Sequence, residues 1–197
     1  MIRTIGHGTR AIEDLIALLR AQGVAQLVDV RTIPRSRRNP QFHREALAET
    51  LPTAGIAYVH MSRLGGLRKT RADSVNLGWR NAGFRGYADY METPEFARGL
   101  EALIELARQR PTAIMCAETV SWRCHRSLIA DALTARGIAV EHILAAGRAE
   151  PHVLTAFAVV RGTRVTYPAR PPGVAEEVAD DDGAGETRWQ RPPPLFV

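Results

Sequence analysis

The chain has 197 residues, 45% of them hydrophobic and 24% charged, with two cysteines and a formal net charge of +5. That length fits one domain with a tail, and the composition excludes global disorder and a secreted disulfide scaffold. The N-terminus carries no apolar signal core, and the most apolar stretch, residues 138–160, is broken by Glu141, Arg148, Glu150 and Pro151. A soluble, cytoplasmic protein with no membrane partner is the expectation.

In chain order, Arg3-Thr4-Ile5-Gly6 reads as a first strand, ending at His7-Gly8. Ile12, Leu15, Ile16 and Leu19 recur at helical spacing and predict an amphipathic helix over 11–22, with Glu13 and Asp14 at its positive end. Residues 26–30 read as a second strand, followed by a loop fixed by Pro34 and Pro40 and a short helix near 43–50. A third strand is expected over 56–60. Residues 61–85 read as a long basic loop, of the kind that is usually functional or mobile. Tyr87 and Tyr90 fall on a short helix, where three-residue spacing favours packing. Thr93-Pro94-Glu95 has the form of a helix start: a capping hydroxyl, a first-position proline and a first-turn acid. Residues 112–116 predict a fourth strand, 124–136 a helix and 139–144 a fifth strand. Residues 161–168 suggest a last strand at a sheet edge. From residue 168 onward, prolines and acids read as an extended tail, leaving residues 1–167 as one domain.

Strands alternating with helices imply an α/β fold. The expectation is a mainly parallel, Rossmann-like sheet of about five strands with helices on both faces. Charge is unevenly spread over it. Residues 31–85 hold eleven cations against three acids, whereas residues 168–197 hold six acids against three arginines. A basic patch of this kind attracts phosphates or nucleic acid through its summed field. Because 25 of the 26 basic residues are arginine, codon bias alone accounts for much of the excess.

Ligands of open parallel sheets sit outside the strand carboxyl ends. The expected strands place His7, Asp29, Arg31, His60, Cys116 and Glu118 there. The segment Cys116-Ala-Glu118-Thr-Val-Ser-Trp-Arg123-Cys124-His125-Arg126 then leads from a strand through a loop into a helix. Helix-start N–H groups with Arg123 or Arg126 can cradle an anion and activate Cys124, with His125 or His7 as base and Glu118 as orienter or acid. Arg31, Arg35 and Arg68 are further candidate ligand-binding residues. Either cysteine is equally a buried packing residue. Both cysteines with His125 and His7 are donor types for zinc. The seven residues between the cysteines nevertheless exceed the ~2–4 of a knuckle, so neither a metal nor a cofactor is assigned. A tyrosine-phosphatase unit looks similar, but it has one residue fewer between Cys and Arg than the six between Cys116 and Arg123. Glu118 would also repel its dianion. Trp79 and Phe84, interleaved with Arg80 and Arg85, have a spacing compatible with base stacking, whereas His60, His142 and His152 have no evident partner.

Taken together, Thr4-Ile-Gly-His7, Leu27-Val-Asp29-Val-Arg31 with Pro34 and Ser36, Leu64-Gly-Gly66, Cys116-Ala-Glu118 and Cys124-His-Arg126 resemble a bacterial and archaeal family. It is catalogued as domain of unknown function 488. The resemblance covers roughly residues 1–145 and implies a compact cytosolic α/β domain, without an activity or catalytic residue to carry over. Gly8 stands where a small hydroxyl residue is frequent in that family, which removes one donor beside His7. Three readings stay open. The first is an enzyme acting on a phosphate-bearing ligand, a nucleotide or nucleic acid. The second is a non-catalytic nucleic-acid-binding module using residues 31–85. The third is a thiol redox sensor built on Cys116 and Cys124.

Overall fold

The computed structural model describes residues 1–169. Its central sheet takes β1 (Ile2–Gly6), β2 (Gln26–Asp29), β3 (Ala57–His60), β4 (Thr112–Cys116), β5 (Val140–Ala145) and β6 (Arg148–Pro151) in the order β3-β2-β4-β1-β5-β6. The first five are parallel, and β6 runs antiparallel to β5. This is the expected α/β architecture with a mainly parallel sheet. In the dinucleotide-binding order β1 lies beside β2, whereas here β4 stands between them.

Strand side chains alternate between two cores. Ile5, Leu27, Ala113 and Met115 pack under α1 (Ile12–Ala21) and α2 (Arg44–Thr53). Val28, Val30, Ile114 and Cys116 pack under α3 (Ala82–Met91), α4 (Pro94–Gln109) and α5 (Arg126–Thr134). Burial on both faces is what makes the middle of the central strands apolar without alternation, as in Leu27-Val28 and Ala113-Ile114-Met115. As the sequence indicates, the Thr93 hydroxyl caps α4 by accepting from the Phe96 N–H, with Pro94 in the first turn.

Three elements differ from expectation. β6 is a sixth strand in an exposed, polar stretch that offers no period-2 apolar signal. Residues 161–168 add no edge to the main sheet: β7 (Val159–Arg161) and β8 (Arg164–Thr166) form a separate hairpin. From it, buried Tyr167 reaches the Asp131 carboxylate through its hydroxyl at 2.8 Å. The basic loop ends earlier than predicted, because Asn81 caps α3 by accepting from the Gly83 and Phe84 N–H groups. That loop is pinned by the buried Asp89, which accepts from the Arg71 N–H, the Ser74 hydroxyl and the Asn76 amide. Residues 170–197, most of the expected tail, lie outside the described residues. Among the described residues, no helix is long and apolar enough to cross a membrane.

Candidate functional site

The parallel register brings three strand ends to one rim. Gly6 pairs with Cys116 and Asp29 with Met115; beyond them the His7 N–H donates to the Cys116 carbonyl and the Val30 N–H to the Met115 carbonyl. A cleft of about 380 Å³ opens there, lined by His7, Arg31, Arg35, Ser36, Asn39 and the 117–119 loop among others. A hollow of about 410 Å³ lies at the opposite strand ends, but Met1, Arg3, Gly23 and residues 107–111 give it no thiol, imidazole or carboxylate.

The inner wall of the cleft is a buried ion pair. The Arg31 guanidinium and backbone N–H both donate to Asp29, and Tyr58 adds its hydroxyl at 2.9 Å. Burial, with the Asp29 charge, pushes the Tyr58 phenol up. Arg31 also donates to the Phe42 carbonyl at 2.8 Å and to His7 Nε2 at 3.1 Å. His7 Nδ1 sits 2.8 Å from the Gly8 carbonyl, which can only accept, so Nδ1 carries the proton and Nε2 holds a lone pair toward Arg31. The ring stacks on Phe42 at 4.1 Å. Burial above all, with the Arg31 charge, lowers His7 to about 4. To act as a base, His7 must first release the guanidinium.

That shift has a testable sign. The folded state favours neutral His7, so its contribution to stability is present above the ordinary histidine value of 6.5 and is lost as pH falls toward 4. His142, lowered to about 4 by burial and by His152, adds in the same direction. Urea midpoints are expected to fall between pH 6.5 and 4, and less steeply in His7→Gln. An unchanged slope in that variant would contradict a buried neutral His7.

Behind the 117–119 loop lies the cysteine cluster. Cys116 ends β4, while Cys124 and His125 lie between a 3-10 turn (Ser121–Arg123) and α5. The donor atoms of Cys116, Cys124 and His125 lie within 4.8 Å of one another. His125 Nε2 donates to the Val30 carbonyl at 3.1 Å, which aims Nδ1 at Cys124 Sγ, 3.5 Å away. Arg126, 1% exposed, donates to Cys116 Sγ at 3.0 Å, to the Thr4 hydroxyl at 3.2 Å and to the Glu118 carbonyl. Burial pushes the Cys116 thiol up. Burial opposes ionisation of Cys124 too, but the hydrogen bond from Cys116, with His125 and Arg126, holds it well below the ordinary thiol value. The two thiols thus face a guanidinium whose hydrogen bonds, among the described residues, go to Cys116, Thr4 and the Glu118 carbonyl rather than to a carboxylate.

Glycines make this assembly possible by close approach. A Cβ on Gly6 would lie 1.8 Å from the Glu118 carbonyl oxygen, and one on Gly66 would lie 3.2 Å from His125 Nδ1. Thr32 fixes the Gly66 segment by donating to its carbonyl at 2.7 Å.

The candidate residues therefore fall into two adjoining groups: His7, Asp29 and Arg31 at the cleft wall, and Cys116, Cys124, His125 and Arg126 behind it. Arg35 and Glu118 line the cleft. The Glu118 carboxylate is exposed, and it is the backbone carbonyl that Arg126 holds. Arg123 is exposed outside the cleft lining, and Arg68 lies over Tyr90 at 3.7 Å, donating to the Gly65 carbonyl. Trp79 and Phe84 stack on each other at 4.6 Å, with Phe157 and Tyr167 against Trp79.

Histidines without an evident partner in sequence have one in the fold. His60 donates to the Arg31 carbonyl. Asp131 accepts from His152 at 2.8 Å, His152 pairs with His142 at 3.0 Å and His142 with the Thr4 hydroxyl at 2.8 Å. This chain ends on the hydroxyl that accepts from Arg126, so the cluster is tied to the far side of α5 and to the segment after β6. Residues so distant in sequence leave no local signal.

No curated protein and no solved structure matches the chain. The family model described as Domain of unknown function DUF488 matches residues 11–133, a span that includes α1, β2, β4, both cysteines and most of α5. The chain belongs to that family.

Proposed function

We propose that this protein is a small cytoplasmic enzyme acting on a phosphate-bearing ligand, a nucleotide or a nucleic-acid phosphate, at the carboxyl ends of its mainly parallel sheet. The observation that carries this reading is the Cys124–His125 pair, with Sγ 3.5 Å from an imidazole whose other nitrogen is anchored on Val30, set one loop behind a cleft lined by Arg35, Ser36 and Asn39. A nucleophile, a base and a group that orients the base are the minimum set for covalent catalysis. In this reading Cys124 Sγ forms a bond to phosphorus as a P–O ester bond breaks, and His125 takes the thiol proton and gives it to the departing oxygen. Water then breaks the S–P bond to release phosphate and restore the thiol, and Arg126 balances charge at the sulfurs. Arg35, Ser36 and Asn39 bind phosphate oxygens, while Asp29 holds Arg31 and His7 in the wall.

A charged donor to phosphate contributes about 1.5–3 kcal/mol, so Arg35→Ala is expected to weaken binding of inorganic phosphate or a 5′-nucleotide by roughly 10–100-fold. Titration calorimetry reads this directly. Unchanged affinity in the variant, or no binding by the parent protein at low salt, would remove the cleft from the account.

A further inference from the structure

We propose that Cys116, Cys124 and His125 bind one thiophilic cation of the Zn²⁺ class, and that its binding takes Cys124 out of reaction. The second half rests on the reading of Cys124 as nucleophile; the first does not. The seven-residue gap between the cysteines is unlike a zinc knuckle, but the fold makes the gap irrelevant. β4 delivers Cys116, and the turn into α5 delivers Cys124 and His125 to the same point.

The donor geometry suits a tetrahedral ion. With Zn–S of about 2.3 Å and Zn–N of about 2.0–2.1 Å, a tetrahedral angle separates sulfur and nitrogen by about 3.5 Å. Cys124 Sγ and His125 Nδ1 are 3.5 Å apart. Two donors are also fixed from outside. His125 gives its Nε2 proton to the Val30 carbonyl, which leaves Nδ1 as the ligating atom, the arrangement that orients metal-bound imidazoles elsewhere. Cys116 Sγ receives the Arg126 Nε–H at 3.0 Å, a bond that a metal-bound thiolate retains. Two sulfurs and one imidazole select zinc or another soft ion over magnesium or calcium. Two thiolates neutralise a divalent ion, and the fourth position remains for water or an anion from the cleft. His7 stays outside the set, since its Nε2 is engaged by Arg31.

The test uses the full-length protein, reduced, stripped with chelator and kept anaerobic. Titration with Co²⁺ should give one equivalent per chain with a thiolate-to-metal charge-transfer band, displaced stoichiometrically by Zn²⁺. Cys124→Ser, and separately His125→Gln in case the first variant misfolds, should lose the band while circular dichroism shows a retained fold. Arg35→Ala should keep it. One equivalent of Zn²⁺ should slow alkylation of Cys124 at least tenfold. Absence of the band, or an undiminished band in folded variants of both ligands, overturns the metal site. If no metal binds while phosphate still binds in the cleft, the enzyme reading survives alone. If metal binds and phosphate does not, the metal site stands and the enzyme reading falls.

Discussion

Asp29→Ala is expected to lower stability by about 3–5 kcal/mol, the usual cost of stranding one member of a buried ion pair. Asp29 is fully buried and Arg31 nearly so. The carboxylate accepts from the Arg31 side chain and backbone and from Tyr58, so its loss leaves a guanidinium facing a neutral imidazole and the Phe42 carbonyl. For a chain of this size each kcal/mol moves the melting temperature by roughly 2–4 °C, which puts the expected fall at roughly 6–20 °C. Asp29→Ala combined with Arg31→Met should be less destabilised than Asp29→Ala alone, because the stranded charge is then gone. Calorimetric melting of both variants checks this; a double variant that melts lower than the single one would contradict the ion-pair account.

Gly6→Ala is the second large effect. The added methyl would meet the Glu118 carbonyl oxygen at 1.8 Å and its carbon at 2.5 Å, and these are backbone atoms that cannot rotate away. Overpacking usually costs about 1–3 kcal/mol, and relief here requires the 117–119 segment to move. That segment lines the cleft and carries the carbonyl held by Arg126. The variant should therefore melt lower and also lose phosphate binding by more than tenfold, a combination that general destabilisation of a still-folded protein does not produce. Retained affinity in a folded Gly6→Ala protein would show that the loop does not shape the site.

Much of the fold is legible in the sequence because the physics is local. Helical spacing of Ile12, Leu15, Ile16 and Leu19, the Thr93-Pro94-Glu95 start and the apolar runs at 26–30 and 112–116 each mark an element unaided. β6 is not legible, since an exposed edge strand of Arg, Ala, Glu and Pro lacks a buried face. The β7–β8 hairpin is visible as a strand but not as a separate sheet, because partner choice depends on where Tyr167 and Asp131 meet.

The site divides in the same way. That His7, Asp29 and Cys116 share a rim follows from their being strand ends in a parallel sheet. What each side chain then does depends on longer-range contacts. Arg126 has the sequence position of an anion ligand, yet it is buried against Cys116 and Thr4. His142 and His152 look isolated in sequence and prove to link Asp131 to Thr4. The Gly65-Gly66 pair reads only as part of the long basic loop until Thr32 and His125 are placed against it.

The most direct test is site-resolved alkylation of Cys124 in native, chelator-treated protein, with and without inorganic phosphate, in the parent chain and in Arg35→Ala. Cleft and thiol are separated by one loop, so phosphate is expected to slow labelling in the parent protein and to lose that effect in the variant. Labelling indifferent to phosphate in both, or confined to unfolded protein, would separate the cleft from the cysteine cluster and contradict a single site.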